Sequence, residues 1–399
     1  MKSIIKIGSI ILFLAVLIML VSSGTQRAKW KGKIETENGI KVIKNPRGPL
    51  YGEIDFELKE DLSIGNDEDK NYQFYRVTEI ALDTQENIYV LDSGNHRIQK
   101  FDGNGNYLQT IGKKGQGPGE FWEPGEFFLD DQDNIYVLDS RKIKVFNSEG
   151  NFVKNILLQN SISDFCMDIK GNIFGQASIR TENERMLTVI KMSPEGKLIK
   201  KIAEFPDVKT AVRKSGRDLI SFKVYHEYTP YLYISPLDKQ SFCFGFPSEY
   251  RIDITEYDGY IFLRIRKEKT PQSISHKEKE IIVKGVEERI SGRGRKWPER
   301  VLEEACNFPS HRPFFKGIGV DDKQRLYVWR LKSVLDKNKE EEFDLFDKEG
   351  HYLYRIKIPF SPKIIKKSFL FDVKKDEDTG EVRVRRFRII NWNQIKEGI

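Results

Sequence analysis

One seven-residue stretch occurs twice in the chain, and this repetition constrains the fold more than any other feature. The stretch is Asn87-Ile88-Tyr89-Val90-Leu91-Asp92-Ser93, and residues 134–140 repeat it letter for letter, 47 residues later. A period of about 40–50 residues that carries several short apolar strands is typical of β-propeller blades. Turns rich in Asp, Asn and Gly separate the strands, as tight β-turns require. The repetition therefore predicts an all-β fold of radially arranged sheets.

Six such units follow one another, and they predict a six-bladed β-propeller over residues 51–392. The last unit stops one strand short. The segment at about 54–64 echoes the outer strand that precedes the second unit, so we expect it to supply the missing strand and close the ring. Closure leaves no exposed sheet edge that could aggregate. A long insertion at about 270–306 has helical apolar spacing and predicts a small helical insertion.

The N-terminal residues have the pattern of an export signal. Lys2 and Lys6 precede an apolar run from Ile7 to Val21, and small residues follow the run. Residues 1–23 are therefore expected to be a signal peptide or, alternatively, an uncleaved membrane anchor helix. No Cys follows the run, so lipoprotein anchoring is not expected. We expect an exported protein, whether periplasmic, secreted or anchored in the inner membrane, with residues 24–50 as a linker.

The charge pattern bears on the partners. The formal net charge is +7, but 67 Lys and Arg residues are interspersed with 60 Asp and Glu residues. Such mixing indicates an ordinary solvated surface rather than a nucleic-acid or anionic-membrane footprint. The three Cys residues are too few for a disulfide scaffold. We expect a monomer that binds no nucleic acid and meets a membrane only through an uncleaved N-terminal segment.

The repeat can be compared with a known family. Residues 89–101, which read Tyr-Val-Leu-Asp-Ser-Gly-Asn-His-Arg-Ile-Gln-Lys-Phe, resemble an NHL repeat. Residues 115–121, Gly-Gln-Gly-Pro-Gly-Glu-Phe, resemble the inter-blade link common in that family. The mature chain thus resembles bacterial exported six-bladed propellers of NHL type. This resemblance implies a protein- or RNA-binding module, while related six-bladed propellers include metal-dependent lactonases and the amidating lyase of peptide hormones. The fold does not select among these activities.

The long connections mark one face of the predicted propeller. In a four-stranded blade, the links before the inner strand and after the second strand lie on the same face, which we call the elaborated face. All the long insertions fall on it, and they are residues 113–124, 205–228, 267–313 and 330–342. Function usually lies on elaborated loops held by a rigid scaffold. We therefore expect ligands on this face.

Three acidic residues share one position of successive inner strands. Counting four residues back from the turn Asp of each blade gives Glu79, Glu126 and Asp164, while blade five has Gly317. We expect the three acids to ring the central channel, where they would raise one another's pKa unless a cation balances them. Carboxylate oxygens suit Ca²⁺ or another divalent cation. The alternative is that they bond only backbone N–H groups or channel water.

Two histidines and a tryptophan complete the candidate ligand-binding set at the channel mouth. His226 and His311 precede inner strands four and five, and Trp122 lies in the link to blade two. A three-His zinc centre like that of the amidating lyase would need a third His, and no regular pattern supplies one. No Gly-rich phosphate loop and no Ser nucleophile motif is present in the sequence.

Two functions are compatible with these patterns. The leading expectation is an exported, non-catalytic module that binds a protein, peptide or glycan on the elaborated face. The alternative is a metal-dependent, lactonase-like hydrolase or lyase with Glu79, Glu126 and Asp164 at the channel mouth. A binding module would keep its affinity in a chelator, whereas such an enzyme would lose its activity.

Overall fold

Six sheets follow one another along the chain as the blades of a propeller. The computed structural model describes residues 29–66, 68–182, 184–209, 211–215, 218–290 and 299–399. Each sheet has four to six strands, and inner strands of successive blades contact one another around a central channel. The six-bladed, all-β fold predicted from the repeat is therefore confirmed. The expected signal or anchor helix at 1–23 lies outside the described residues.

The strands of every blade follow one plan and run in order from the inner strand outward. Blades one and two contain Val77–Leu82, Ile88–Asp92, Arg97–Phe101 and Tyr107–Ile111, then Pro124–Leu129, Ile135–Asp139, Lys142–Phe146 and Phe152–Leu157. Blades three and four contain Ile162–Met167, Ile173–Arg180, Arg185–Met192 and Leu198–Pro206, then Tyr233–Pro236, Ser241–Gly245, Arg251–Glu256 and Ile261–Lys267. Blades five and six contain Phe315–Val320, Leu326–Arg330, Glu341–Phe346 and Tyr352–Ile358, then Ile364–Lys366, Phe369–Lys375, Val382–Ile389 and, from the N-terminal side, Leu58–Ile64.

The repeated Asp-x-x-x-Asn sequence forms the turn between the inner and second strands. In blade one, Asp83 Oδ1 accepts hydrogen bonds from the backbone N–H groups of Gln85 and Asn87, and Asp83 Oδ2 accepts one from the Asn87 side chain at 2.8 Å. Blades two and three repeat this bonding at Asp130 and Asp168. The carboxylate thus holds the backbone of a tight turn, which is why these residue types recur there.

The core is divided into six hydrophobic clusters, one at each interface between neighbouring blades. Between blades one and two, for example, Tyr89, Leu91 and Ile98 pack against Ile135 and Val137, and all five are fully buried. Both faces of each sheet are therefore apolar. Burial of a large apolar side chain contributes roughly 1.5–3 kcal/mol, so the ring is stabilised by sheet-to-sheet packing all the way round.

The prediction of a linker at 24–50 is wrong for residues 33–45, while residues 24–28 lie outside the described chain. Lys33–Glu37 and Ile40–Asn45 form a hairpin, and its second strand pairs in parallel with Ile261–Lys267, the outer strand of blade four. The hairpin turn is Asn38-Gly39, with φ of 51° and 81°, which is a strong signal for a two-residue β-turn. The many charged residues around this dipeptide led to the prediction of a linker instead of a hairpin. The charges lie on the solvent side, while Val42 and Ile43 are fully buried.

Leu58–Ile64 closes the ring by pairing antiparallel with Val382–Ile389. Residues 54–57 begin the segment expected to close the ring, but they lie outside this pairing. Residues 54 and 55 belong to a separate strand. That strand, Glu53–Asp55, pairs in parallel with the outer strand of blade five. Beyond residue 392, the limit expected for the propeller, the C-terminal tail still packs, and Ile395 is buried in the cluster between blades five and six.

Truncation of the closing strand tests its contribution. Ile64 is 1% exposed and packs against Phe371 and Val384. We expect Ile64→Ala to lower the free energy of unfolding by about 2–4 kcal/mol, because it leaves a cavity between blades six and one. Urea denaturation would measure this loss. Ile34→Ala, at a residue 54% exposed on the N-terminal hairpin, is the matched control and should cost less than about 0.5 kcal/mol. Equal losses in the two variants would contradict a role of Ile64 in closure.

Candidate functional site

One position of the inner strands lines the channel near the elaborated face. It lies three residues before the last residue of each inner strand, and its occupants from blade one to blade six are Glu79, Glu126, Asp164, Tyr233, Gly317 and Lys363. Sequence reasoning found the three acids and Gly317 but missed Tyr233 and Lys363. The prediction depended on a turn Asp four residues later, and in blade four Leu237 stands at that turn position. In blade six the turn is only Lys367-Ser368.

The structure brings Glu79, Glu126 and Asp164 together electrostatically. Burial, followed by the charges of Asp164 and Glu79, raises the pKa of Glu126 to about 9. Burial also raises the pKa of Glu79 to about 7, an effect that Lys363 opposes and Asp164 reinforces. Burial raises the pKa of Asp164 as well, although the Glu126 hydroxyl and the Ile234 N–H donate hydrogen bonds to its carboxylate. The raised pKa of Glu126 favours its protonated form at neutral pH, in which the carboxyl group donates a hydrogen bond to Asp164.

Asp164 has an unusual backbone conformation. Its φ is 53°, and among the described residues it is the only one other than glycine with a positive φ inside a strand. It is the extra residue of a β-bulge, because Ser163 pairs with Gln176 and Phe165 with Gly175. Bulges re-aim side chains and occur next to active sites. Asp tolerates this conformation better than most residues, and the bulge holds it against Glu126.

The channel acids do not fit a preformed metal centre. In the described part of the chain, the group of three potential ligands whose donor atoms all lie within 4.8 Å is Asp347, Glu349 and His351. That group belongs to a turn on the opposite face, where the His351 backbone N–H donates to Asp347 at 2.7 Å and His351 Nδ1 lies 2.9 Å from Asp347 Oδ2. Glu126 and Asp164 are bonded to each other instead. The three channel acids therefore do not form a preformed group of converging ligands within 4.8 Å.

The expectation that His226 faces the channel mouth is wrong. His226 is 6% exposed, its Nδ1 accepts a hydrogen bond from the Tyr228 N–H, and its Nε2 lies 2.7 Å from the Cys306 carbonyl oxygen. Both ring nitrogens are thus used inside the helical insertion. This bonding requires the Nε2-protonated tautomer, and burial lowers the pKa of the imidazole. His226 is a structural residue that ties the start of blade four to the insertion.

His311 is likewise engaged in local bonds. Its Nδ1 lies 3.0 Å from the Ser310 hydroxyl, and its Nε2 lies 3.0 Å from the carbonyl oxygen of Ser248, in the loop after the second strand of blade four. The structure therefore does not bring His311 together with the channel acids. Its bonds fasten the end of the insertion to blade four.

The insertions pack into a lid on the elaborated face. The lid contains helix α1, His276–Ile290, and helix α2, Glu299–Cys306, with residues 291–298 outside the described chain. Ile282, Val286 and Leu302 are buried with residues from the links that lead into blade four and across blade five. The helical insertion expected at about 270–306 thus forms these two helices. It packs on the links of blades four and five.

Glu278 holds the lid together. It is 3% exposed and accepts hydrogen bonds from the hydroxyl groups of Tyr228, at 2.6 Å, and Ser333. It also forms a capping box with Ser275, which fixes the start of α1. Although burial opposes ionisation, the hydrogen bonds from Ser333, Tyr228 and Ser275 lower the pKa of Glu278 to about 2. The lid is therefore fastened by a carboxylate that is charged at neutral pH.

Trp122 lies in the link before blade two, on the elaborated face and away from the lid cluster. This residue is 47% exposed, and its backbone N–H donates to Asp139 at 3.1 Å. Tyr75, which is 74% exposed, has the same place before blade one and the same bond, to Asp92. Trp122 and Tyr75 line one pocket on the elaborated face, and the sequence did not single out Tyr75. The available signal in the sequence was the Asp that ends the repeated strand, which is Asp92 in blade one and Asp139 in blade two.

Comparisons with known proteins support the fold. A family model described as DUF5128, a 6-bladed beta-propeller, matches residues 70–246. A Bacteroides fragilis protein named as exported is 15% identical, with a TM-score of 0.50, and the match covers 87% of this chain and 99% of that chain. A duf4221 family member from Bacteroides vulgatus is 12% identical, with a TM-score of 0.51 and coverage of 83% and 98%. These identities support the fold alone.

Other comparisons add nothing to the functional argument. A Xanthomonas campestris gluconolactonase is 12% identical over 79% of this chain and 87% of that chain, but its TM-score is only 0.41. No curated protein matches the sequence. No helix in the described ranges is long and apolar enough to span a membrane. The comparisons thus support a six-bladed propeller and leave the assignment of the repeat to the NHL type as a prediction.

Proposed function

We propose that this protein is an exported, non-catalytic binding propeller whose ligand docks over the channel mouth on the elaborated face. The observation that carries the proposal is the composition of that mouth. The packed lid and the exposed residues Trp122 and Tyr75 belong to links on the elaborated face, and the half-buried carboxyl groups of Glu79 and Glu126 lie on inner strands that begin at that face. Rigid aromatic surface beside a few convergent polar groups is the usual composition of a ligand site.

The state of the acids indicates the chemistry of the ligand. Glu126 is protonated at neutral pH, and Lys363 lies close enough to lower the pKa of Glu79. Lys363 Nζ also donates to the Thr78 carbonyl oxygen at 3.0 Å, which fixes it at the mouth. The centre therefore offers both hydrogen-bond donors and acceptors with little net charge. A glycan or a peptide backbone presents the matching groups.

The remaining parts of the proposal concern the cellular location, the oligomeric state and the type of the repeat. Export is supported by the pattern of residues 1–23 and agrees with the name of the Bacteroides fragilis relative. The protein acts as a monomer outside the cytoplasm, periplasmic, secreted or held by its N-terminal segment. The NHL-type assignment belongs to the same proposal and rests on residues 89–101. The metal-dependent hydrolase is not favoured, because the channel acids share protons rather than converging on one point.

Binding of the full chain to arrays of glycans and of peptides, at pH 6.5 in EDTA, tests this function. We expect binding to at least one array, with an affinity about tenfold lower in Glu79→Ala, since loss of one hydrogen-bonding carboxyl group costs about 1.4 kcal/mol. Glu256→Ala, at an exposed acid on the opposite face, is the control and should leave affinity unchanged. Absence of binding on both arrays, or binding that requires a divalent cation, would contradict the proposal.

A further inference from the structure

A cleft of 460 Å³ opens between blades one and two beside the channel mouth. Its walls include the exposed rings of Tyr75 and Trp122 and the side chains of Arg76 and Glu123. This volume is within the range of about 300–1,000 Å³ that is typical of ligand pockets. We call it the aromatic cleft. Its two rings come from equivalent positions of successive blades, so the cleft follows from the repeat itself.

The backbone that carries the two rings is held by buried carboxylates. Asp92 accepts hydrogen bonds from the N–H groups of Tyr75 and Arg76, and Asp139 accepts them from Trp122 and Glu123. Asp92 and Asp139 are 0% and 1% exposed, and buried Lys144 lies 3.4 Å from Asp139. Lys144 also donates to carbonyl groups of the link that leads to Trp122. A ligand would therefore meet pre-positioned aromatic surfaces at a small cost in conformational entropy.

The charges in the cleft balance. Arg76 and Glu123 have equivalent positions and opposite signs, and each is bonded to the Ser that ends the repeated stretch. Arg76 Nε donates to the Ser93 hydroxyl at 3.0 Å, and the Ser140 hydroxyl donates to Glu123 at 3.2 Å. An anionic ligand would face Glu123 and a cationic ligand would face Arg76. A neutral ligand with hydroxyl groups can bond to both, because a guanidinium donates and a carboxylate accepts.

We infer that the aromatic cleft binds a neutral sugar residue of a glycan. The sugar ring packs its C–H face on Trp122 or Tyr75, since the face of an aromatic ring carries negative potential. Its hydroxyl groups bond to Arg76 and Glu123. This inference rests on the proposed function and names its ligand class, because Gly125 of the cleft lies on the same inner strand as Glu126 and directly precedes it.

Gly125 offers a way to fill the cleft without disturbing the fold. A Cβ atom added at this residue would meet no other atom within 4 Å, and the residue does not have a positive φ. Gly125→Leu should therefore fold normally and occupy space that the sugar needs. Gly319, on the inner strand of blade five, has the same open surroundings. Gly319→Leu is thus a matched control for the added side chain.

Calorimetric titration of the full chain at pH 6.5 with cellohexaose, xylohexaose and mannohexaose tests the inference. We expect one of these neutral oligosaccharides to bind, and Trp122→Ala, Tyr75→Ala and Gly125→Leu each to weaken that binding about tenfold or more, the scale of an aromatic stacking contact. Tyr260→Ala, at a tyrosine 53% exposed on the opposite face, and Gly319→Leu should leave it unchanged. Circular dichroism would verify that each variant is folded.

The outcomes separate this inference from the proposed function. Failure of every neutral oligosaccharide to bind, or affinity that all three cleft variants leave unchanged, would overturn the sugar subsite. Binding to peptides alone would do the same while leaving the proposed binding function intact. Glycan binding that is sensitive to Glu79→Ala but not to the cleft variants would also keep the function and refute the cleft. Absence of binding on both arrays would remove both.

Discussion

Replacing Asp344 with alanine is expected to lower the free energy of unfolding by about 3–5 kcal/mol, the usual cost of removing one partner of a buried ion pair. Asp344 lies in the third strand of blade five and is fully buried, and Lys267 Nζ of blade four donates to it at 2.6 Å. Tyr250 and Tyr352 also donate to it. The variant would leave the Lys267 ammonium buried without a counter-charge. Chemical denaturation at pH 7 would measure the loss.

The state of the pair at pH 7 supports this expectation. Burial opposes ionisation of Asp344, but Lys267 and Arg330 hold its pKa below the ordinary value. Burial lowers the pKa of Lys267 to about 8, against the effect of Asp344, so both groups are charged. Asp131→Ala, in an exposed pair with Lys239, is the control and should cost less than about 1 kcal/mol. A loss in Asp344→Ala as small as in the control would refute a structural role for the buried pair.

Glu126→Gln is expected to make the protein more stable than the wild type above pH 8 and about equally stable at pH 5.5. The folded-state pKa values of Glu126 and Glu79 are raised to about 9 and about 7 from an ordinary 4.5. Between pH 4.5 and 9 the folded wild type therefore binds more protons than the unfolded chain. Its free energy of unfolding must decrease as pH rises through this window. Glutamine keeps a hydrogen-bonding group but cannot ionise.

Glu79 sets the pH dependence that the Glu126→Gln variant retains. One unit of pKa shift corresponds to about 1.4 kcal/mol, so the shift of Glu79 alone accounts for up to about 3 kcal/mol. Denaturation curves at pH 5.5 and pH 9 would measure the wild type, Glu126→Gln and the surface control Glu256→Gln. Parallel pH dependence in all three proteins would mean that the channel acids do not share protons.

The same curves in calcium test the cation expected from the sequence. A divalent cation bound by Glu79, Glu126 and Asp164 would take the place of the shared protons and favour the ionised acids. Wild type would then regain at pH 9 the stability that it loses there, and Glu126→Gln would not respond. A response equal to that of the Glu256→Gln control would leave the channel without a calcium site.

The repeat made much of the fold predictable. Asp83 and Asn87 recur in blades two and three because their side chains hold the turn, so the sequence itself marks the register of each inner strand. This register is what placed Glu79 and Glu126 on the channel. Tyr233 and Lys363 escaped the same reasoning, because the turns of blades four and six are built from other residues.

Other features depend on contacts between distant segments, which no local pattern encodes. His226 bonds to the carbonyl of Cys306, 80 residues away, so the position of its ring depends on the docking of the lid. The N-terminal hairpin needs blade four as its partner, although its Asn38-Gly39 turn is visible in the sequence. The aromatic cleft needs both blades one and two. Sequence patterns therefore predicted the propeller, whereas contacts between distant segments determined the arrangement of the candidate site.

The N-terminal strands have a consequence for the order in which the chain can fold during synthesis. Residues 33–64 are synthesised early, yet they pair with the outer strands of blades four and five and with the third strand of blade six, which are synthesised much later. Asn45 cannot form its hydrogen bonds with Gly350 and Tyr352, of 2.8 and 2.7 Å, until those residues have been synthesised. Pairings of such separation form slowly. Until blade six is complete, the nascent chain must keep an unsatisfied strand edge from associating with its neighbours.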